Sequence, residues 1–493
     1  MSLKKMFGRV VTISLLAVTL MTGCSLGGGK NEGAGQENNA TVKIMHYDER
    51  SFYQQYGMLY SALHPEVEID VVSTQSVRAE NPEDYKEALE KFIKEQQPDV
   101  LMLSSDQYEK MAAAGELYEL GTSLEQDGYD LEGIVPGLVE YLTEIGGGKL
   151  YGLTPNYHSQ AIYYNKDLFD RYNISHPTDQ MSWEDVLQLA MRFPTDGADE
   201  DRVYGFNMGY QGANLYQLGI QIGLTSGLSF VNPNTKQMTI HTDAWVNMFE
   251  TALQALNSGA LYERSENGGF SGSHEEYLLQ EPFIGGKTAM VIEGPYLLNQ
   301  LKEAKEVLKD KGIQNWDLVT MPVNPQNPEY NSSTSIGQIF AISAQSANTQ
   351  TALDFIKYIH SEEYARVQSK SYNMGGLSIR TKYVKDEEGH HLEAFYKLKP
   401  KQSEIYSLYE KLPENFYMQY HGLAEQEMNA AQNGEISIED ALKNLQTKGQ
   451  ELLLQADQEA VQQEVPATEI SVDEAAGEMK ESDVQESTEQ AGD

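Results

Sequence analysis

Apolar and polar residues alternate along the first part of the chain in a pattern that predicts strands separated by helices. Residues 42–45, 67–72 and 99–103 have the pattern and length of short strands, and the third is mostly apolar, as buried parallel strands are. Between them, residues 51–63 and 82–98 carry apolar side chains at helical spacing. Strands that alternate with helices pair in parallel, so this region predicts a parallel α/β sheet.

The pattern pauses at the glycines 146–148 and then resumes, which predicts a second lobe. Residues 160–164 and 166–172 have the pattern of a strand followed by a helix. Further strands are expected at 204–208, 288–292, 316–321 and 336–342, a helix at 349–359, and mainly helices over 391–456.

The N-terminus has the parts of an export signal. Lys4, Lys5 and Arg9 precede a mainly apolar run and small residues that end at Cys24. The apolar run is too short to span a bilayer. The segment resembles the lipobox of bacterial lipoproteins, which implies that residues 1–23 are removed and that Cys24 is lipidated. Ordinary secretion with Cys24 as an idle thiol is the alternative.

Composition limits the kinds of partner. Residues 24–40 are rich in small polar residues and predict a flexible tether, and the acidic residues 456–493 predict a disordered tail. The formal net charge is −38, so neither nucleic acid nor an anionic lipid surface is an expected direct partner. A single cysteine excludes a disulfide framework and a thiolate metal site.

Motifs for catalytic or cofactor chemistry are incomplete. Residues 286–288 resemble the end of a phosphate-binding loop, but Glu281 stands where that loop needs glycine. His274 and Glu275 begin a zinc-helix pattern, but Leu278 replaces its second histidine. We therefore expect no metal, no cofactor and no catalytic residue. Because many pairs could be drawn from 74 acidic residues, counting alone leaves glycoside hydrolysis open.

Several segments, in order and spacing, resemble one known family, the extracellular solute-binding proteins of ABC importers, in their carbohydrate-binding class (family 1 type). The segments are 151–155, 162–169, 283–296, 339–343 and 351–356. The resemblance implies an α/β fold: a two-lobed clamshell of the periplasmic-binding-protein type, with parallel-rich sheets and crossing hinge segments.

The resemblance also implies where the lobes lie. The crossings would be residues 153–158 and 334–338. The expected division gives lobe one residues 41–153 and 339–372, and lobe two residues 159–333 and 373–455. A ligand would lie between the lobes, which close on it by a hinge motion.

Candidate ligand-binding residues follow from this resemblance and from the ends of predicted strands, where open sheets bind ligands. Aromatic rings can stack on sugar rings, and carboxylates, amides and imidazoles can bond sugar hydroxyls. The candidates are Tyr47, Asp48, Asp106, Gln107, His158, Tyr210, Gln211, Tyr296, Tyr372 and Asn373. Structural alternatives exist: Asp106 could cap a helix, His158 could be structural, and Tyr296 could pack beneath a turn.

The sequence therefore predicts a lipid-anchored receptor on the extracytoplasmic face of the cell membrane. It would act as a monomer, bind a carbohydrate, most readily an oligosaccharide, and deliver it to the transmembrane permease subunits of an ABC transporter. It would not be an enzyme. Two alternatives stay open: an extracellular carbohydrate-active enzyme, and a sensor-type binding protein that partners a histidine kinase.

Overall fold

The structure is a computed structural model of the 493-residue chain. It describes residues 40–78, 82–196, 202–209, 214–263, 272–331, 333–370, 376–385, 387–401 and 411–464. The predicted signal segment, Cys24, nearly all of the predicted tether and residues 465–493 lie outside the described residues.

Strands and helices alternate through most of the described chain. The strands are β1 (Ala40–His46), β2 (Val67–Ser73), β3 (Val100–Leu103), β4 (Gly152–Leu153), β5 (Asn156–Tyr157), β6 (Ala161–Asn165), β7 (Val231–Asn232), β8 (Gln237–Met238), β9 (Met290–Glu293), β10 (Trp316–Thr320), β11 (Tyr330–Asn331), β12 (Ile339–Ile342), β13 (Leu377–Ser378) and β14 (Lys399–Pro400).

The helices are α1 (Glu49–Phe52), α2 (Met58–Leu63), α3 (Pro82–Gln96), α4 (Ser105–Ala113), α5 (Gly121–Gln126), α6 (Leu138–Ile145), α7 (Lys166–Arg171), α8 (Trp183–Ala190), α9 (Leu215–Thr225), α10 (Asp243–Asn257), α11 (His274–Gln280), α12 (Tyr296–Leu308), α13 (Thr349–Ile359), α14 (Glu362–Gln368), α15 (Glu414–Gln432) and α16 (Ile438–Glu464). A π turn at Tyr53–Gly57 joins α1 to α2. In the part of the chain that the structure describes, no helix is both long and apolar enough to cross a membrane.

The first sheet forms the centre of lobe one, with strand order β2-β1-β3-β12-β4. β1 pairs in parallel with β2 and β3, whereas β12 pairs antiparallel with β3 and β4. Tyr60 and Phe355 pack edge to face, and the Tyr108 hydroxyl donates to the Leu142 carbonyl. The predicted parallel arrangement of the first three strands is confirmed.

The second sheet, with order β10-β6-β9, forms the centre of lobe two. Its strands pair antiparallel, so the expectation of parallel-rich sheets is wrong for this lobe. The reason is the path of the chain: β6 runs away from the crossing segments, and β9 and β10 run back toward them. The strand predicted at 204–208 forms isolated bridges instead, at Tyr204, Phe206 and Asn207.

Two apolar cores support lobe two. One contains Phe206 and Trp245 and continues into the C-terminal helices through Phe416. The other contains Phe283 and Leu301. Lobe two therefore depends on residues that are far apart in sequence, including the end of the described chain.

Helix α16 extends further than the sequence predicts. It runs to Glu464, so the expectation of disorder is wrong for residues 456–464. Leu453 and Ala456 are buried in the first core of lobe two, and Asp457 accepts a hydrogen bond from the Lys236 ammonium at 2.8 Å. These contacts supply the apolar burial and charge pairing that the acidic composition alone does not reveal.

Two crossing segments continue the lobe-one sheet as an antiparallel ribbon. Phe340 pairs with Leu153 inside the sheet, and Ser335 pairs with His158 in the same register five residues further on. A third crossing contains β13, which pairs antiparallel with β5 of the first crossing. The ribbon therefore has three segments side by side.

The third crossing belongs to lobe one for longer than predicted. The predicted boundary assigns residues from 373 onward to lobe two, but Ile379 packs in the core of lobe one. Val384 is in a core of lobe two. The chain therefore changes lobe between these two residues.

Candidate ligand-binding cleft

Four chain segments meet at one edge of the lobe-one sheet, the edge formed by the carboxyl ends of its parallel strands. Ile44 of β1 lies opposite Val100 of its parallel neighbour β3, so both strands end at this edge. Ile339 at the start of β12 lies opposite Leu103 at the end of β3. β4 pairs with β12 and ends at the same edge. The loops after β1 and β3 and two crossing segments therefore start close together.

The facing edge of lobe two is formed where β6 begins. Ala161, at the start of β6, pairs with Glu293 at the end of β9. Because the first crossing leads directly into β6, this edge lies next to the crossings. The turn 294–296 follows β9 here, and the Tyr163 hydroxyl donates to the carbonyl of Gly294 at 2.9 Å.

Asp48 is the N-cap of α1. Its carboxylate accepts from the backbone N–H of Ser51 at 2.9 Å and from the Ser51 hydroxyl at 2.5 Å. These bonds from Ser51 hold the pKa of the Asp48 carboxyl below its ordinary value. The neighbouring Tyr47 is 56% exposed. This loop therefore presents an ionised carboxylate and an exposed ring.

Asp106 and Gln107 lie in the first turn of α4. Gln107 and Ser104 form a capping box, in which the Gln107 side chain accepts from the Ser104 N–H at 2.9 Å. Asp106 pairs with Lys110 at 3.0 Å. Capping is thus the work of Ser104 and Gln107, not of Asp106.

His158 lies on the first crossing and has an exposed side chain. Its backbone exchanges two hydrogen bonds with Ser335, at 2.9 and 2.8 Å. Gly376 of the third crossing has a φ of 103°, and a Cβ at that position would lie 3.3 Å from Cε1 of His158. The imidazole therefore lies on the ribbon between the lobes, against a backbone that only glycine fits readily.

Tyr296 is the first residue of α12 and is 59% exposed. The preceding Pro295 is the N-cap of this helix and makes no side-chain capping hydrogen bond. Packing beneath the turn does not account for a ring with this exposure. In the described turn 294–296, Tyr296 is the aromatic residue that is exposed at the lobe-two edge.

Four candidates cannot be placed. Tyr210, Gln211, Tyr372 and Asn373 lie outside the described residues, as does the predicted lipidation site Cys24. Their roles stay predictions.

A cavity of about 300 Å³ opens between the lobes beside the third crossing. Its walls come from α12 of lobe two and α13 and α14 of lobe one. Sequence reasoning missed Asn156 on the first crossing, and Asn299 and Lys302 on α12, all of which line it. The two α12 residues have the spacing of an ordinary solvated helix face, so no sequence signal separates them. The volume is at the lower end of the range for small-molecule sites.

The arrangement is suited to binding an uncharged, hydroxylated ligand. Lobe one offers carboxylate and amide acceptors, the ribbon offers an imidazole, and lobe two offers an aromatic ring. Among the residues with described positions, no group of three His, Cys, Asp or Glu side chains could hold a metal ion.

Two α/β lobes, a ribbon of crossing segments and a cleft at the facing sheet edges define a two-lobed ligand-binding protein. Residues 46–366 match the model of the bacterial extracellular solute-binding protein family, and the chain belongs to that family.

Among curated relatives, the maltooligosaccharide ABC transporter solute-binding lipoprotein of Streptococcus pneumoniae serotype 4 (strain TIGR4) is 26% identical over 283 residues. The match covers 55% of this chain and 57% of the relative, so the chain spans a little over half the length of that protein.

Solved structures show the same fold. The sugar-binding protein MalE from Xanthomonas citri has a TM-score of 0.58 at 16% identity and covers 86% of this chain and 100% of its own. A family 1 extracellular solute-binding protein from Alicyclobacillus acidocaldarius has a TM-score of 0.59 at 12% identity, with coverage of 84% and 98%. An open form of a sugar transporter from Rhizobium etli has a TM-score of 0.55 at 20% identity, with coverage of 84% and 99%.

Proposed function

We propose that this protein is a lipid-anchored extracytoplasmic receptor that binds a carbohydrate between its lobes and delivers it to the permease of an ABC importer. The observation that carries the proposal is the exposed ring of Tyr296 at the lobe-two edge, placed across the ribbon from the polar loops of lobe one. Membership of the solute-binding family supports capture and delivery rather than catalysis.

A saccharide suits the chemistry of both edges. The apolar face of a sugar ring can stack on Tyr296 or Tyr47, and its hydroxyls can bond to Asp48, Gln107 and His158. An anionic ligand would meet the net charge of −38 and the carboxylates of this edge, so an uncharged one is favoured.

An oligosaccharide is the form we propose first. The pneumococcal relative is a maltooligosaccharide-binding protein, so α-linked glucose oligomers are the first ligands to test. We retain Asp106 as a candidate contact, together with Tyr210, Gln211, Tyr372 and Asn373, which lie outside the described residues.

The anchor and the lobe boundaries are part of the proposal. Lipidation of Cys24 is supported by the sequence around it and by the lipoprotein relative. We retain residues 41–153 and 339–372 in lobe one and extend it through residue 380. Lobe two then comprises residues 159–333 and 381–455, followed by the rest of α16.

The test is binding of maltooligosaccharides of graded length, measured by thermal shift and by titration calorimetry on the exported chain. A ligand that binds the folded state alone at about 100 times its Kd adds about 2.7 kcal/mol to the free energy of unfolding, so the melting temperature must rise. Cello-oligosaccharides of equal length, in which the same glucose units are joined by β- instead of α-linkages, serve as matched control ligands.

Chromatography of the same mixtures separates a receptor from an enzyme. We expect the oligosaccharides to be recovered unchanged after long incubation. Release of shorter sugars without any permease would contradict the proposal, and so would the absence of a shift with every saccharide in a broad panel.

A further inference from the structure

Side-chain hydrogen bonds hold the second and third crossing segments to lobe one. The Tyr56 hydroxyl of lobe one donates to the Gln338 side-chain oxygen on the second crossing at 2.7 Å. The Ser105 hydroxyl donates to the carbonyl of Ile336 on the same crossing at 3.2 Å. Within the described chain, no side-chain hydrogen bond ties residues 154–160, 334–338 or 376–380 to lobe two.

The third crossing is held in the same way. Arg380 is almost fully buried, and its guanidinium donates to the carbonyls of His360 and Asp130 at 2.8 and 2.9 Å and to the Tyr129 hydroxyl at 3.2 Å. All three acceptors belong to lobe one. Removal of such a buried, multiply bonded cation from its partners is costly, so this crossing stays with lobe one during any movement.

Tyr56 combines ring contacts inside lobe one with a hydrogen bond to a crossing segment. It is 1% exposed, its ring packs against Phe340 and stacks on Tyr364, and its hydroxyl reaches Gln338. Burial raises the pKa of the Tyr56 phenol well above its ordinary value. The protonated hydroxyl thus contacts the second crossing, which pairs through its backbone with the first crossing at Ser335 and His158.

The backbone pairing also connects the ribbon to lobe one. The first and second crossings keep the register of the lobe-one sheet as far as His158 and Ser335, so the ribbon is an extension of that sheet. Just beyond, the Ser159 hydroxyl is buried without a hydrogen-bond partner in the described structure. The contacts that hold the crossings to lobe one therefore end where the chain approaches lobe two.

We propose that Tyr56 is a positioning residue for lobe movement: through Gln338 it fixes the second crossing, and with it the paired first crossing, to lobe one, so that these two segments bend beyond the ribbon, at residues 159–160 and 333–334. That the movement is driven by a saccharide rests on the proposed function. The location of the bends does not depend on the proposed function.

The test compares Tyr56→Phe with Tyr364→Phe. Both remove one buried hydroxyl from the same aromatic cluster, but the Tyr364 hydroxyl donates to the Gln55 carbonyl, inside lobe one. Lobe separation is read from spin labels at Met58→Cys and Met418→Cys, which are 66% and 80% exposed on the two lobes, in a full chain that also carries Cys24→Ser.

Without ligand, we expect Tyr56→Phe to broaden the distribution of label distances. A ribbon that is bonded less firmly to lobe one lets lobe two sample more orientations. Tyr364→Phe should keep the wild-type distribution. With a maltooligosaccharide that binds the wild type, Tyr56→Phe should weaken binding about 3- to 10-fold, the equilibrium effect of one hydrogen bond.

Equal distributions for the wild type and Tyr56→Phe, or equal broadening in both variants, would overturn the proposal. If Tyr56→Phe does not fold, Gln338→Met removes the same bond from the crossing side with similar side-chain volume and is read in the same way. If no saccharide binds the wild type, the proposed function fails, whereas the ligand-free distances still decide the location of the bends.

Discussion

The two edges of the cleft are built differently. On lobe one, the polar candidates already take part in the structure: Asp48 and Gln107 cap helices, and Asp106 is paired. On lobe two, Tyr296 begins a helix and leaves 59% of its surface to solvent. Substitutions on lobe one should therefore change stability together with binding, whereas the lobe-two ring can be changed with little effect on the fold.

The lobes also differ in their histidines. Lobe one buries His46 and His360, at 2% and 1% exposure. Each histidine of lobe two with a described position keeps part of its surface exposed. A buried neutral imidazole makes a fold sensitive to mild acid, so the lobes should respond differently to pH.

The largest predicted effect is loss of lobe-one stability in mild acid. Burial lowers the pKa of His360 to about 4, against about 6.5 in the unfolded chain. As the pH falls from 6.5 to 4 the unfolded state takes up the proton first, so up to about 3 kcal/mol of stability is lost. Hydrogen exchange should show lobe one opening before lobe two.

His360→Asn is the control for this effect. Its amide can still donate to the Ile356 carbonyl, which the His360 Nδ1 contacts at 2.6 Å, but it does not titrate. The variant should have a flatter pH dependence of unfolding between 6.5 and 4. The same acid sensitivity in both lobes, or an unchanged slope in the variant, would contradict the comparison.

The next effect in size is loss of binding in Tyr296→Ala. Deletion of a ring that stacks on a sugar should cost about 1–3 kcal/mol, or about 5- to 150-fold in Kd. Because Tyr296 is exposed, the melting temperature of the free protein should stay the same. Calorimetry should also find that Tyr296→Trp retains binding. Unchanged affinity in Tyr296→Ala would remove the ring from the site.

The smallest effect separates the two roles of Asp48. Asp48→Ala removes both the cap of α1 and the carboxylate, so the melting temperature and the affinity should fall together. Asp48→Ser keeps a side chain that can cap the helix, so it should lower affinity alone. Parallel thermal melts and titrations check this, and unchanged affinity in Asp48→Ser would mean that Asp48 serves the helix only.

The sequence predicts the elements of lobe one well because short strand-like segments there alternate with segments of helical spacing. β2 and β3 and the helix Thr349–Ile359 agree closely with the predicted ranges. The strand expected at 204–208 does not form a continuous ladder, because its residues pair with two different segments: Tyr204 and Asn207 with Thr288 and Val291, and Phe206 with Leu261. The extent of α16 depends on contacts such as that of Asp457 with Lys236, which are distant in sequence.

The candidate site is predictable where the end of a strand marks it. Tyr47, Asp48 and Tyr296 are of this kind. The ribbon is different: Tyr56 and Gln338 are 282 positions apart and neither belongs to a motif. Their meeting depends on the register of three strands from separate parts of the chain, which local pattern does not contain.

The direction of β1 has a mechanical consequence. The strand runs from Ala40 to His46 and ends at the cleft, so whatever precedes Ala40 joins lobe one at the side remote from ligand. An anchored N-terminus would hold lobe one as the stationary half. Lobe two, with its long final helix, would then be the half that swings relative to the membrane and signals occupancy to a transporter.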